Sequence, residues 1–475
     1  MKGHTVHGMR DQWEVDAGIG RGQPERAASA DDLRRWTETV AGGAIAAWEQ
    51  ISGGNRCQSF AVDVACADGG KAELYLRYQP PRPPSAEPYT VWREAGIYTA
   101  LKGTAVPAPR LIAVNPEFQA ILTERAPGRA DYRRIASEAD RIAVAREFVE
   151  GLVALHKLPP TVIPGLPVGF TIANCVQQEL DIWGAMYTEA GHADPLIDLA
   201  MDWLRTNNPA LAAPPVLVHG DAGPGNFLFK DGHLTALLDW ELAHAGDPME
   251  DLAWFSMRSV MEPVPDFAGL LRLYAQLSGN PIDAARIRYH RVFVSTRVVI
   301  IRHRNVTGQP GNSIVSRALN RRLLVEALAD ANGIMLPRGE AVTVVPSPRT
   351  PLYDAVIDDL RSEIAAISCE PRVISAAKGA AKVLKYLREA DRLGGHFVMQ
   401  DLATLEAILH ARPAGVGEGQ AALLDAMRAR KVSFVEVLGY FSGCVARETT
   451  LAASASGGLA TRDFPPIEDG QDSHV

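Results

Sequence analysis

Two short apolar runs that each end in an acidic motif constrain this 475-residue chain more than any other feature. Val216-Leu217-Val218 leads into His219-Gly220-Asp221, and Leu234–Leu238 leads into Asp239-Trp240-Glu241. Asn226 lies five positions after Asp221. Between Phe227–Lys230 and Leu234–Asp239 stands Asp231-Gly232, a dipeptide that favours a tight hairpin turn. The pattern predicts two acidic side chains on rigid strand ends and an amide on the loop that joins them.

Those residue types suit one chemistry well. Magnesium takes hard oxygen ligands, which Asn226 and Asp239 would offer. Phosphoryl transfer asks for metal ions to neutralise phosphate charge and for a carboxylate beside the attacking hydroxyl, which Asp221 would supply. The Asp-x-x-x-x-Asn spacing followed by a later Asp is that of the protein-kinase catalytic loop and its downstream metal-binding Asp. Metal-dependent phosphoesterases also gather Asp, His and Asn on strand ends. The hairpin and Gly-Gly loop earlier in the chain disfavour that alternative.

The wording of the motifs goes further. His219-Gly220-Asp221 with Asn226, then Leu238-Asp239-Trp240-Glu241, resembles the signature of aminoglycoside-phosphotransferase-like and choline-kinase-like enzymes. Gly246-Asp247-Pro248 and Asp251-Leu252-Ala253 resemble the branch attached to acyl-CoA dehydrogenases. The likeness reaches back through Trp203-Leu204 and Asn208-Pro209 and covers about residues 30–330.

This resemblance implies an α+β, bilobal protein-kinase-like fold that uses ATP and Mg2+. It implies Asp221 as catalytic base, His219 as a positioning residue, and Asn226 and Asp239 as metal ligands. In the first lobe, Ser52, Gly53, Gly54 and Asn55 match the nucleotide loop, where adjacent glycines let backbone N–H groups approach phosphate. Arg77 stands where kinases carry a phosphate-binding lysine, a departure that keeps the charge and adds bidentate geometry. Glu94 would pair with it, and Glu124 to Ala126 would form the adenine-binding hinge. Asp251 reads as a helix cap and His156 as a structural helix end.

Periodicity sets out the organisation. Residues 1–28 read as a mobile tail, and Ser29 with Asp32 as a capping-box-like helix start. Phe60, Val62 and Val64 alternate in one strand, and Leu74, Leu76 and Tyr78 in the next, across Asp68-Gly69-Gly70. Residues 29–126 form the nucleotide lobe and 127–336 a helical lobe with the catalytic and metal sites. A Pro-rich linker at 337–350 leads to an all-α bundle at 351–453, expected to be an independent unit, and a disordered tail at 454–475.

Composition excludes some partners. A net charge of −8 argues against nucleic acid. Five widely spaced cysteines read as reduced thiols of a cytoplasmic protein, with no zinc-site spacing. The first residues lack a signal-peptide core, and no apolar run is long enough to span a bilayer. The expected partner is a small-molecule hydroxyl substrate. Arg286, His290, Arg297 and Arg304 recur at nearly helical spacing, which suits an anionic acceptor such as a hydroxyacyl-CoA if the stripe lines the cleft. Arg297, which interrupts an apolar run, and Glu241 are the acceptor-binding candidates. An antibiotic acceptor and a non-catalytic nucleotide-binding regulator are the competing readings.

Overall fold

Alternating side chains build the first layer. The computed structural model describes residues 27–51, 56–83, 85–115, 117–163, 165–304, 310–336 and 346–468. Ser52, Gly53, Gly54 and Asn55 lie outside these residues, as do 1–26, 337–345 and 469–475. Strands β1 (Gly43–Ile51), β2 (Gln58–Cys66), β3 (Lys71–Tyr78), β4 (Leu111–Asn115) and β5 (Ala120–Glu124) form an antiparallel sheet in the order β1-β2-β3-β5-β4. Phe60, Val62 and Val64 on β2 and Leu74, Leu76 and Tyr78 on β3 are buried with Leu33 of helix α1 (Ala30–Ala41). The Ser29–Asp32 capping box starts α1 as expected. Ala28, assigned to the mobile tail, instead donates its N–H to the Tyr78 hydroxyl at 2.8 Å.

The chain divides into two compact units. One comprises Met1–Ile182, Pro209–Ala284 and Pro465–Val475, and the other Trp183–Asn208 and Ala285–Phe464. The first holds the sheet, helices α2 (Val91–Leu101) and α3 (Glu138–His156), most of α4 (Ile172–Thr188), and a set of short strands. Those strands are β6 (Val216–Val218) paired with β9 (His244–Gly246), and β7 (Phe227–Lys230) paired with β8 (His233–Leu237). The β7–β8 turn uses Asp231 and Gly232 at φ 52° and 80°, the left-handed pair that a type I′ turn requires. Helices α6 (Pro248–Met261) and α7 (Phe267–Ser278) complete this unit. The chain is α+β, as expected.

The second unit differs from the expected division. It contains α5 (Pro195–Thr206), α8 (Ala284–Arg304) from its second residue, and α9 (Pro310–Ala331). These stand with α10 (Thr350–Asp359), α11 (Pro371–Leu409), α12 (Val416–Arg428) and α13 (Phe434–Ser456). The break therefore does not fall at 337–350. Helix α9 packs on α13 and α11, and the Arg321 guanidinium on α9 meets Glu448 on α13 at 3.0 Å. Periodicity reveals that a helix has an apolar face but not which helix covers it.

The disordered tail from 454 is also corrected. Helix α13 runs to Ser456 and a 3-10 turn to Thr461. Asp463 pairs with Arg322 at 2.7 Å, and Phe464 lies beneath the Arg291 guanidinium at 4.8 Å. An apolar stripe on α10 and the π-helical turn after it is only partly covered: Ile357 is buried, Tyr353 and Leu360 are half-buried, and Val356 and Ile364 are exposed. Among the described residues, no helix is long and apolar enough to cross a membrane.

Candidate active site

Strand β6 places His219-Gly220-Asp221, and helix α6 anchors it. Asp247 caps α6, accepting the Met249 N–H at 2.9 Å, with Pro248 at the first helical position. Asp251 is therefore not the cap. Its buried carboxylate accepts the backbone N–H groups of His219 and Gly220 at 2.8 and 2.9 Å, and it meets His156 Nε2 at 2.9 Å. His156 Nδ1 in turn meets the Tyr274 hydroxyl at 2.7 Å. A buried carboxylate with this many hydrogen bonds costs little and fixes the loop.

Gly220 takes φ 78°, and a Cβ there would fall onto the Leu242 carbonyl. Only glycine suits both demands. Gly220→Ala is expected to cost about 1–3 kcal/mol, read as a lower melting temperature. An unchanged melt would show that the loop relaxes freely.

The loop and the second acidic motif are tied together. His219 Nε2 lies 2.8 Å from the Leu238 carbonyl, and its ring packs on Trp240 at 4.6 Å. The Leu238 N–H donates to the Asn226 carbonyl, and the Asn226 side-chain amide donates to the Asp221 carbonyl, both at 2.8 Å. Asp239 sits at φ 65°, a left-handed conformation costly for most residues but open to Asp. His219, Asn226 and Asp221 are thus hydrogen-bonded into one assembly through Leu238, which directly precedes Asp239 in the chain.

Arg77 joins that assembly to the sheet. One guanidinium nitrogen reaches Glu94 Oε1 at 3.2 Å and Asp239 Oδ1 at 2.8 Å, and the other reaches Glu241 Oε2 at 2.9 Å. The Arg77–Glu94 pair is the one predicted. Burial alone would lower the Arg77 pKa, but the Glu94, Asp239 and Glu241 carboxylates outweigh it and raise it. Burial pushes Glu94 up to about 7 against the pull of Arg77. Burial also pushes Asp239 up, yet Arg77 wins and holds it below the usual carboxylate range. Glu241 is pushed up by burial and by Asp239.

Three participants went unrecognised in the sequence. Arg56, immediately after the Gly-Gly loop, pairs with Glu87 and reaches Glu241 Oε1 at 2.7 Å. Arg258 on α6 grips Asp221, with Nε 2.8 Å from Oδ1 and a second contact from Nη2 to Oδ2. Asp251 was read as a cap. A signal for Arg258 existed, since it lies seven residues after Asp251 on the same helix and two turns return to the same face.

Glu124 ends β5, is exposed and pairs with Arg110; Ala126 follows it in a loop. Arg286, His290, Arg297 and Arg304 of α8 do not form one open stripe. His290 and Arg297 are buried, and Arg304 pairs with Glu189 at 3.1 Å. The Arg297 guanidinium lies 4.0 Å from the Phe293 ring centre and 5.6 Å from that of Trp183.

The donor set fits magnesium. Among the described residues no three His, Cys, Asp or Glu side chains gather as a ready metal site. Magnesium needs only one or two protein oxygens when nucleotide phosphates and water complete its shell. Asp239 supplies a carboxylate. Asn226 spends its amide nitrogen on Asp221, which leaves its oxygen as the donor.

Comparison with known proteins agrees with the motifs. Acyl-CoA dehydrogenase family member 11 from Homo sapiens is 31% identical over 196 residues, covering 38% of this chain and 25% of that protein. Its Gallus gallus counterpart is 28% identical over 196 residues, covering 39% and 25%. The chain thus matches about a quarter of the length of these relatives. Among solved structures, aminoglycoside phosphotransferase APH(4)-Ia in complex with ADP and hygromycin B gives a TM-score of 0.48 at 16% identity, over 64% of this chain and 99% of that one. Macrolide 2'-phosphotransferase MphH from Brachybacterium faecium gives 0.44 at 20%, over 61% and 97%. The pattern of the phosphotransferase enzyme family matches residues 47–288, just over half of the chain and all of the assembly above. The chain belongs to the phosphotransferase enzyme family.

Proposed function

We propose that this chain is an ATP- and magnesium-dependent kinase that transfers the γ-phosphate to a hydroxyl of a small metabolite. The observation that carries the reading is the single assembly of Asp221, Asn226 and Asp239, braced by Arg77 and Glu94. Asp221 orients the acceptor hydroxyl and takes its proton. Asn226 and Asp239 hold magnesium, which neutralises the phosphates when bound. Arg77 binds phosphate, with Glu94 fixing its direction. His219 holds the loop against the strand end that carries Asp239. Ser52, Gly53, Gly54 and Asn55, outside the described residues, are proposed as the nucleotide loop, and the segment from Glu124 to Ala126 as the adenine-binding hinge.

The acceptor we propose is a hydroxyacyl-CoA. The name of the relatives, acyl-CoA dehydrogenase family member 11, supports an acyl-CoA substrate. Glu241 remains the residue proposed to contact the acceptor. The test is incubation with magnesium–ATP and pooled hydroxyacyl-CoAs or aminoglycosides, read by mass. A gain of one phosphate on a hydroxyacyl-CoA is expected. Phosphate on an aminoglycoside alone would replace the acyl-CoA acceptor with an antibiotic. Asp239→Ala should sharply weaken magnesium-dependent ATP binding by calorimetry with the fold retained. Equal affinity in both proteins would remove Asp239 from the metal site.

A further inference from the structure

Helix α6 touches the Asp221 loop twice, and its second touch has no role in the kinase reading. Asp251 holds the loop's first two backbone N–H groups. Two turns later on the same face, Arg258 holds the Asp221 carboxylate through both of its oxygens. Two-point pairing of a planar guanidinium with a carboxylate fixes the plane and rotation of the carboxylate as well as its distance.

The loop is also shaped around this side chain. Gly223 and Gly225 take φ 139° and 94°. A Cβ on Gly223 would lie 2.7 Å from Arg258 Cβ, and one on Gly225 would lie 3.1 Å from Arg258 Nη1. The same Nη1 lies 3.4 Å from the Pro224 carbonyl. Asp221-Ala222-Gly223-Pro224-Gly225-Asn226 therefore wraps the Arg258 side chain, and its glycines leave the room that the wrap needs.

We infer that Arg258 is the positioning residue of the Asp221 loop, setting the plane and direction of the Asp221 carboxylate through a two-point clamp. This rests on the kinase reading of Asp221. A carboxylate fixed in plane and rotation keeps its remaining lone pairs in one direction, so Asp221 can orient the acceptor hydroxyl and take its proton as the bond to phosphorus forms.

The test uses the full chain with magnesium–ATP and water as the acceptor, so that it does not depend on the metabolite. Arg258→Ala should lower ATP hydrolysis roughly 10²-fold, the scale set by misplacing a reacting group by about 1 Å, while magnesium–ATP affinity stays unchanged. Arg258→Lys keeps the charge without the fork and should recover only part of the rate. Added guanidinium ion should partly rescue Arg258→Ala but not Asp221→Asn. Nitrogen-15 NMR of the Arg258 guanidinium gives a readout independent of turnover. Its rotation should be slow in the parent protein and fast in Asp221→Asn. Unchanged hydrolysis in Arg258→Ala, or free rotation in the parent, overturns the inference. A parent protein that fails to bind magnesium–ATP defeats the kinase reading instead, and the rotation measurement still decides the clamp.

Discussion

Asp221→Asn is expected to lower phosphate transfer to the acceptor by roughly 10²–10⁴-fold, the usual contribution of a positioned general base. The substitution keeps size and shape but removes the charge that draws the hydroxyl proton. Binding of magnesium–ATP should survive, because Asp239, Asn226 and Arg77 do not depend on the Asp221 side chain: Asn226 bonds its backbone carbonyl. The fold should survive too. Asp221 is only 15% exposed and faces Arg258, and an amide can still accept from that guanidinium, although its NH2 end cannot. The measurement is turnover under saturating ATP with the acceptor found by mass, beside a thermal melt. Full turnover with an intact melt would take Asp221 out of the reaction.

The assembly was legible because its parts are local. Each candidate residue sits at the end of an apolar run or beside a turn whose chemistry is written in adjacent residues, such as Asp231-Gly232. The Arg77–Glu94 pair was legible through likeness to kinases, which place a cation on that strand and a carboxylate on the helix after it. Arg258 and Arg56 were harder to read for the opposite reason. Their partners lie 37 and 185 residues away in the chain, and an arginine on an amphipathic helix reads by default as a solvated cation. Asp251 misled through position, since an acidic residue in the first turn suits a helix start. Its work is instead to accept N–H groups from a strand end 31 and 32 residues earlier. The α8 cations show the same limit. Spacing brought Arg286, His290, Arg297 and Arg304 near one face, but burial of His290 and Arg297 depends on aromatic neighbours that spacing does not reveal.

The same limit reverses an expectation about the C-terminal helices. A chain ending at residue 336 should aggregate or lose its cooperative melt, although the sequence pattern suggested an independent bundle after 350. Helix α9 buries Leu319, Leu323, Leu324, Val325 and Leu328, and its packing partners include α11 and α13. Full burial of one such side chain is worth about 1.5–3 kcal/mol. Exposing even part of five of them approaches the whole stability of an ordinary domain, about 5–15 kcal/mol. Arg321 would keep Asp194 but lose Glu448, leaving a cation matched for two carboxylates with one. An exposed apolar face of this size on a helix favours self-association over a soluble monomer. Size-exclusion chromatography and a melt of the shortened chain against the parent decide the matter. A soluble monomer with a sharp transition would mean that the helices before 337 fold without those after 345, and that the covering of α9 by α13 adds little to stability.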